Sequence, residues 1–475
     1  MTVAAAVDAK ALARYLRSRR WFGDKSADIA DARVVNRITV QWPTSPREFA
    51  VLRVRVSAGD GASFYQMFVS GDAGLDDALE DAAFRRGLVD AFARGATMEG
   101  QGARWIVESE TAARLVVPAS AEVALASGEQ TNSSVIIDGQ AILKLYRRLE
   151  RGIHPDVEVT RFLTIARNFI HTPALLGTIR FEDADGATVA GMLQELVPGA
   201  TDGWKYALAV SKDYFAGRVP AGDVLPFEQE AHELGRVTRA MHDTLASGDV
   251  GSAFERRGAS RDDVRRWTEG ALRMAERALG SLERAVADRS VARRDADVAR
   301  SVVDRRAQYT SWLSQLGAGI SSDAGSVTRT HGDYHLGQVL RSAAGKFLVI
   351  DFEGEPARPL AERRAHQSPL RDVAGMLRSF AYATAVGEGD AGRGASEAVA
   401  RRAERWAGVS REAFLRGYFT PTSRDAALFP ESRGNTERLV ALFEAEKIFY
   451  ELQYELDHRP DWVWVPLRGI AQLQP

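Results

Sequence analysis

The chain contains no cysteine, which excludes disulfides, thiol nucleophiles and thiolate metal sites. Lysine is nearly as scarce: of 62 Lys+Arg residues it takes only positions 10, 25, 144, 205, 212, 346 and 447. No apolar run approaches the roughly 20 residues that cross a bilayer. Asp8 and Lys10 interrupt the alanine-rich start before a signal-peptide core could form. Net charge is missing too. Asp+Glu number 64, the formal charge is −2, and no general field for nucleic acid results. An anionic substrate would have to be held by local cations. These absences predict a cytoplasmic protein with no membrane and no nucleic-acid partner, and they leave the oligomeric state open.

What is present is an ordinary globular composition, 45% hydrophobic and 27% charged, over 475 residues. That length is too great for one core and predicts about three domains or subdomains. Residues 1–100 open with an amphipathic helix at 11–20, continue with alternating strands at 49–56 and 64–69, and close with a helix near 76–94. They carry no evident chemistry. From Trp105 the pattern changes. Strands at 134–137 and 141–146 flank Asp138-Gly139-Gln140, a tight-turn signal. A helix follows at 156–168, then a strand at 189–197 that ends in Pro198-Gly199. Residues 201–475 read as mostly helical, with helices at 227–245, 261–287 and 292–316. Charge runs on these helices are solvated faces. The strands expected here are 339–341 and 347–352, with Asp351 held by the second. The stretch 387–400 reads as a loop entering a helix.

The chemistry-bearing stretch is His331-Gly332-Asp333-Tyr334-His335-Leu336-Gly337-Gln338, followed by Asp351-Phe352-Glu353. An aspartate, an amide five positions later and a second aspartate eighteen positions after the first resemble the H-R-D-L-x-x-x-N and D-F-G motifs of protein kinases. In those motifs the first Asp accepts the proton of the attacking hydroxyl, while the amide and the second Asp hold magnesium against ATP phosphates. Gln338 and Asp351 offer the oxygen ligands that magnesium prefers. His331 and His335 lack the helical frame of a zinc pair, and support of the loop backbone fits them better.

Lys144 stands in the apolar strand Ala141-Ile142-Leu143-Lys144-Leu145-Tyr146, which parallels the V-A-I-K strand whose lysine binds α/β-phosphates. The nearest glutamate on the following helix is Glu158, either the partner of that lysine or a solvent-exposed helix residue. No glycine-rich loop precedes Lys144. A polar loop at 129–134 stands there instead, and Ser133 and Ser134 are its candidates for covering phosphates. Gln194, Glu195 and Val197 occupy the position in chain order of a hinge that meets adenine.

The stretches EQTNSS, AILKLYRRLERGIHPDVEVTRFL, HGDYHLGQVL, VIDFEGEPARPLAERRAHQSPLRDVAGMLRSFAYA and YELDHRPDWVWVPLRGI resemble the actinobacterial maltokinase family, small-molecule kinases of the aminoglycoside-phosphotransferase type. The match runs from about Glu129 to Ile470. The resemblance implies an α+β, bilobal protein-kinase-like fold. Its parts would be an N-terminal cap subdomain (1–100), an ATP-binding β-sheet intermediate subdomain (101–200) and a helical C-lobe with the catalytic loop and sugar site (201–475). It implies ATP and Mg2+, with maltose converted to maltose 1-phosphate for α-glucan (glycogen) synthesis. Asp333 would be the catalytic base, Gln338 and Asp351 metal ligands assisted by Glu353, and Lys144 the phosphate lysine. Tyr334 departs from the leucine usual in the family's motif.

A relative in the same structural group phosphorylates glucosamine, and an amino sugar would need a carboxylate near the acceptor, which Glu446, Glu451 or Asp457 could supply. Lys447, Tyr450, Glu451 and Tyr454 share one helix face, which fits either sugar hydroxyls or packing with tyrosine tips at the rim. With Glu446 and His335 they make up the sugar-binding candidates. Trp462 and Trp464 read as anchors, and Arg371–Asp372 as an internal ion pair. A catalytically dead nucleotide-binding scaffold would have lost the base, the metal ligands or the lysine, and all are present.

Overall fold

The computed structural model describes residues 8–23, 29–43, 45–58, 61–70, 75–110, 118, 120–126, 131–219, 224–320, 323–356, 358–388, 397–422 and 427–473. The chain forms two compact units, residues 1–199 and 200–475. The first contains α1 (Ala9–Ser18), β1 (Ile29–Gln41), β2 (Glu48–Ala58), β3 (Gly61–Ser70), α2 (Ala82–Arg94), β4 (Thr97–Gly100) and β5 (Ala103–Ser109). It continues with β6 (Val123–Leu125), β7 (Asn132–Ile137), β8 (Ala141–Tyr146), β9 (Arg148–Leu149), α3 (Pro155–Arg161), β10 (Leu175–Asp183) and β11 (Gly186–Glu195). A five-residue π-helical stretch, Phe162–Ala166, extends α3.

Two antiparallel sheets organise this unit, one ordered β1-β2-β3-β9 and one ordered β4-β5-β10-β11-β8-β7-β6. Side chains alternate faces along β2. Phe49 and Val51 face the large core, whereas Ala50, Leu52 and Val54 face a smaller one closed by Leu12 and Leu16 of α1. The large core also takes in Trp105, Leu143 and Leu193, so residues before and after position 100 bury their apolar surface together. Its polar centre is Gln66. The Gln66 amide donates to the carbonyls of Ala190 (2.9 Å) and Tyr146 (3.3 Å), and its oxygen accepts from the Trp105 indole at 3.0 Å. The β7–β8 hairpin turns at Asp138 (φ 49°) and Gly139 (φ 61°), both left-handed as a two-residue type I′ turn requires. Residues 132–134, expected as loop, already belong to β7, while 127–130 lie outside the described residues.

The second unit contains β12 (Thr201–Asp202), α4 (Gly203–Phe215), α5 (Glu228–Leu245), β13 (Arg257–Gly258), α6 (Arg261–Ala287), α7 (Ala296–Asp304), α8 (Arg306–Ala318) and β14 (Ser326–Val327). Then follow β15 (Val339–Arg341), β16 (Phe347–Val349), α9 (Leu360–Arg363), α10 (Leu370–Gly387), α11 (Glu397–Tyr418), α12 (Arg433–His458) and α13 (Trp464–Gln472). Helix starts carry their own chemistry. Ser260 and Asp263 form a reciprocal capping box on α6, and Ser432 caps α12. The single helix expected at 292–316 is two, parted at Arg305. Most of the loop expected at 387–400 (389–396) lies outside the described residues. β16 ends at Val349, two residues before Asp351, which is therefore not held by the strand itself. No described helix is long and apolar enough to cross a membrane.

The Gln66 network gives a direct test of the shared core. Gln66→Leu keeps the volume but orphans one indole N–H and two carbonyls, and it should lower unfolding free energy by about 1–3 kcal/mol. Urea denaturation checks this; an unchanged midpoint would remove Gln66 from that role.

Candidate active site

In the first unit, β8 sends Leu143 and Leu145 into the core and leaves Lys144 half-buried on the opposite face. Its ammonium lies 3.5 Å from the carboxylate of Asp156, which is fully buried in the first turn of α3 and accepts from the Tyr146 hydroxyl at 3.2 Å. Asp156 is an acid that the sequence reading did not name as a partner of Lys144; Glu158, two residues on, is half-buried. Ser134 lies opposite Lys144 in the β7–β8 register and is buried. The Ser133 hydroxyl accepts from the Arg147 guanidinium at 2.8 Å. In the segment expected as a hinge, the Gln194 amide turns inward to the Pro173 carbonyl (3.0 Å). The backbone N–H groups of Glu195 and Leu196 bond the carbonyls of Ala174 and Gln140. Glu195 is exposed and Val197 half-buried.

In the second unit, the loop bearing Asp333 is held along one face of α10. The buried Asp372 carboxylate accepts from the backbone N–H of His331 (2.7 Å) and Gly332 (3.0 Å) and lies 3.0 Å from the His242 ring. One turn on, the α10 backbone presses so close that a Cβ on Gly375 would sit 2.6 Å from the Tyr334 carbonyl. A further turn along, the Ser379 hydroxyl accepts from Leu336 N–H at 3.0 Å. Positions 372, 375 and 379 share a helix face. Arg371 and Asp372 do not make the internal pair expected of them. Adjacent helix residues point apart, and Arg371 bonds Glu446 at 2.9 Å instead. Burial tends to raise the Asp372 pKa, but the His242 hydrogen bond, the neighbouring histidines and the Gly332 N–H hold it below the usual carboxylate range.

The loop itself is cross-braced. His331 takes a long hydrogen bond from Asp333 N–H (3.4 Å) on one ring nitrogen and lies 2.9 Å from the Ile350 carbonyl with the other. The Tyr334 side chain is buried, and its hydroxyl lies 2.9 Å from that of Thr238, a polar partner that a leucine would not need. His335 accepts the Gly337 N–H on Nδ1 at 3.0 Å, which leaves Nε2 4.0 Å from Asp333 Oδ2. The Asp333 Oδ1 oxygen lies 3.4 Å from the Lys447 ammonium. Burial works to raise the Asp333 pKa; Lys447 and the two histidines outweigh it and leave the carboxyl below its usual range. Burial likewise lowers that of His335, only partly offset by Asp333.

The oxygen donors named for a metal stand close by. Ile350 N–H bonds the Gln338 carbonyl at 3.0 Å, which ties the two motifs together. Asp351 has φ 69°, a left-handed conformation that is uncommon for a residue with a Cβ and that turns its side chain out of line with the strand. A carboxylate oxygen of Asp351 and one of Glu353 lie within 4.8 Å of each other. Such an all-oxygen set fits a hard dication.

Beside Asp333 a cleft is lined from α12 and from the segment 354–371. Two of the carboxylates expected to meet sugar are occupied: Glu446 is bonded to Arg371, and Glu451 to Arg378 at 2.8 Å, both pairs largely buried. Lys447 and Tyr450 do line the cleft, with the ammonium over the tyrosine ring at 4.6 Å. Tyr454 is exposed and stacks on His458. Burial first, and the charge of Glu355 second, raise the Tyr450 pKa. Glu355, a residue that the sequence did not single out, is buried in the cleft wall.

The family model of the maltokinase N-terminal cap domain matches residues 15–109. The glucosamine kinase of Streptacidiphilus jiangxiensis is 29% identical over 392 residues, 82% of this chain and 80% of its own. That of Mycolicibacterium smegmatis is 32% identical over 351 residues, 73% of this chain and 78% of its own. A solved glucosamine kinase in complex with glucosamine, ADP and inorganic phosphate has a TM-score of 0.66 at 23% identity, over 92% of this chain and 94% of its own. This last likeness is one of fold.

The Lys447–Asp333 contact predicts a pH effect. Wild-type kcat/KM should keep its acid limb below the ordinary carboxylate range. In Lys447→Met the burial of Asp333 is less opposed, so the limb should move to higher pH. A limb that stays in place would show that Lys447 does not tune Asp333.

Proposed function

Because the chain belongs to the maltokinase-like family of sugar kinases, together with the two glucosamine kinases to which it is similar, we propose that it phosphorylates the amino sugar glucosamine with ATP. The observation that carries this reading is the relatedness to those two enzymes along most of both chains, at 29% and 32% identity. The sequence motifs favoured maltose, and the cap at residues 15–109 supports maltose as the second reading. A family's cap, however, bears less directly on the acceptor than relatives aligned through the catalytic segments do.

In this reading each unit supplies its own groups. Lys144, steadied by Asp156 at 3.5 Å, meets nucleotide phosphates as a point charge. Asp333 accepts the proton of the sugar hydroxyl as that oxygen attacks the γ-phosphorus and the bond to the β-phosphate oxygen breaks. Of its two oxygens, Oδ1 faces Lys447, whereas Oδ2, 4.0 Å from His335 and beyond hydrogen-bond range, is left for the hydroxyl. Gln338, Asp351 and Glu353 would hold magnesium, which when bound neutralises charge on the phosphates. Asp372 fixes the loop without touching substrate, so that the base is positioned before the sugar arrives. The carboxylates that the cleft offers are consistent with a cationic sugar.

Coupled ADP-release assays with glucosamine, maltose and glucose test the reading: glucosamine should give the highest kcat/KM, and turnover of none would sink it. Asp333→Asn should lower kcat by about 100-fold or more with ATP affinity largely kept. Unchanged turnover would take the base role away from Asp333.

A further inference from the structure

Glu355 is only 7% exposed, yet one of its oxygens, Oε1, is buried without a well-formed hydrogen bond among the described residues, the Tyr450 hydroxyl being the donor that approaches the carboxylate. Its other oxygen accepts from the Arg358 guanidinium at 2.6 Å. A bare carboxylate oxygen in a protein wall is costly, because its lost hydration is not replaced, and such an atom implies a donor supplied from outside. Glu355 lines the same cleft as Asp333, Lys447 and Tyr450.

The charges around it sharpen the point. Among the cleft-lining residues, carboxylates outnumber cations five to four. Asp333 is paired with Lys447, Glu446 with Arg371, and Asp372 with His242 and the loop backbone. Glu362 is exposed. Glu355 pairs through Oε2 with Arg358, and among these cleft carboxylates its Oε1 is the buried oxygen left without a well-formed hydrogen bond. That oxygen is an acceptor open to one hydrogen-bond donor.

We propose that Glu355 is the specificity-determining residue of the acceptor site, its Oε1 receiving the ammonium group of an amino sugar. The proposal rests on the amino-sugar reading above and adds the residue that would enforce it. Tyr450 is close enough for the Glu355 charge to be felt at its hydroxyl, and Lys447 feels the same carboxylate. Glu355 therefore faces the group of side chains around the base rather than a remote part of the wall. A neutral sugar would offer the oxygen only a hydroxyl. An ammonium makes a charge-assisted bond, roughly twice as strong, and discrimination follows from that difference.

The test is the ratio of kcat/KM for glucosamine to that for glucose. Glu355→Gln retains shape and an acceptor oxygen but removes the charge, and the ratio should fall by about tenfold or more. Glu355→Asp, which keeps the charge on a shorter stem, should retain more of the preference. Thermal melts of both variants report whether they fold. If the wild-type enzyme prefers glucosamine and Glu355→Gln keeps the same ratio, the role of Glu355 is overturned while the amino-sugar reading stands. If the wild-type enzyme has no preference for glucosamine, that reading fails and takes this inference with it.

Discussion

The geometry of the loop that bears Asp333 depends on the carboxylate of Asp372. It is buried, it accepts two consecutive backbone N–H groups of the loop that ends in Asp333, and it lies against His242. A carboxylate in such a place is stable only because every lone pair it turns inward meets a donor. Strong charge-assisted bonds of this kind fix the loop to a helix rather than to another loop, so Asp333 inherits the rigidity of α10. The close approach at Gly375 and the Ser379 hydroxyl extend the same seam for two further turns.

The cleft beside that loop is built on a second constraint, the pairing of arginine with buried glutamate. Arg371 and Arg378 project from α10 and meet Glu446 and Glu451 of α12, which locks the two helices side by side. Breaking one such pair would leave a lone buried charge, and this fixes the geometry more than it adds stability. A consequence is that carboxylates which look available on a helical wheel are already used. Glu355 Oε1 is the buried cleft oxygen left without a well-formed hydrogen bond among the described residues.

The first unit follows a different logic. Its two antiparallel sheets share one apolar core, to which strands before and after position 100 both contribute. A polar residue at the centre, Gln66, is tolerated because all of its partners are in reach. The same alternation that sends Leu143 and Leu145 into this core turns Lys144 to the other face, where its ammonium lies 3.5 Å from Asp156.

Much of this was legible in order and spacing. Asp333, Gln338, Asp351 and Lys144 stand in local motifs, and the mixed α+β architecture follows from alternating strands succeeded by helical periodicity. The Asp-Gly turn between β7 and β8 was legible too, since positive φ has a residue signature. Other features carried no local signal. The approach of Asp156 to Lys144 is one, because a one-dimensional reading cannot tell which side of a helix faces a strand. Arg371 was paired with its neighbour Asp372, whereas its partner Glu446 is 75 positions away. Tyr334 found Thr238 across 96 positions. The amino-acid order by itself determined which chemical groups the protein owns and which elements carry them, because backbone preference and side-chain periodicity act over a few residues. Tertiary packing alone decided which charges cancel and which oxygen is left bare, because ion pairs and burial depend on helices brought together from distant parts of the chain.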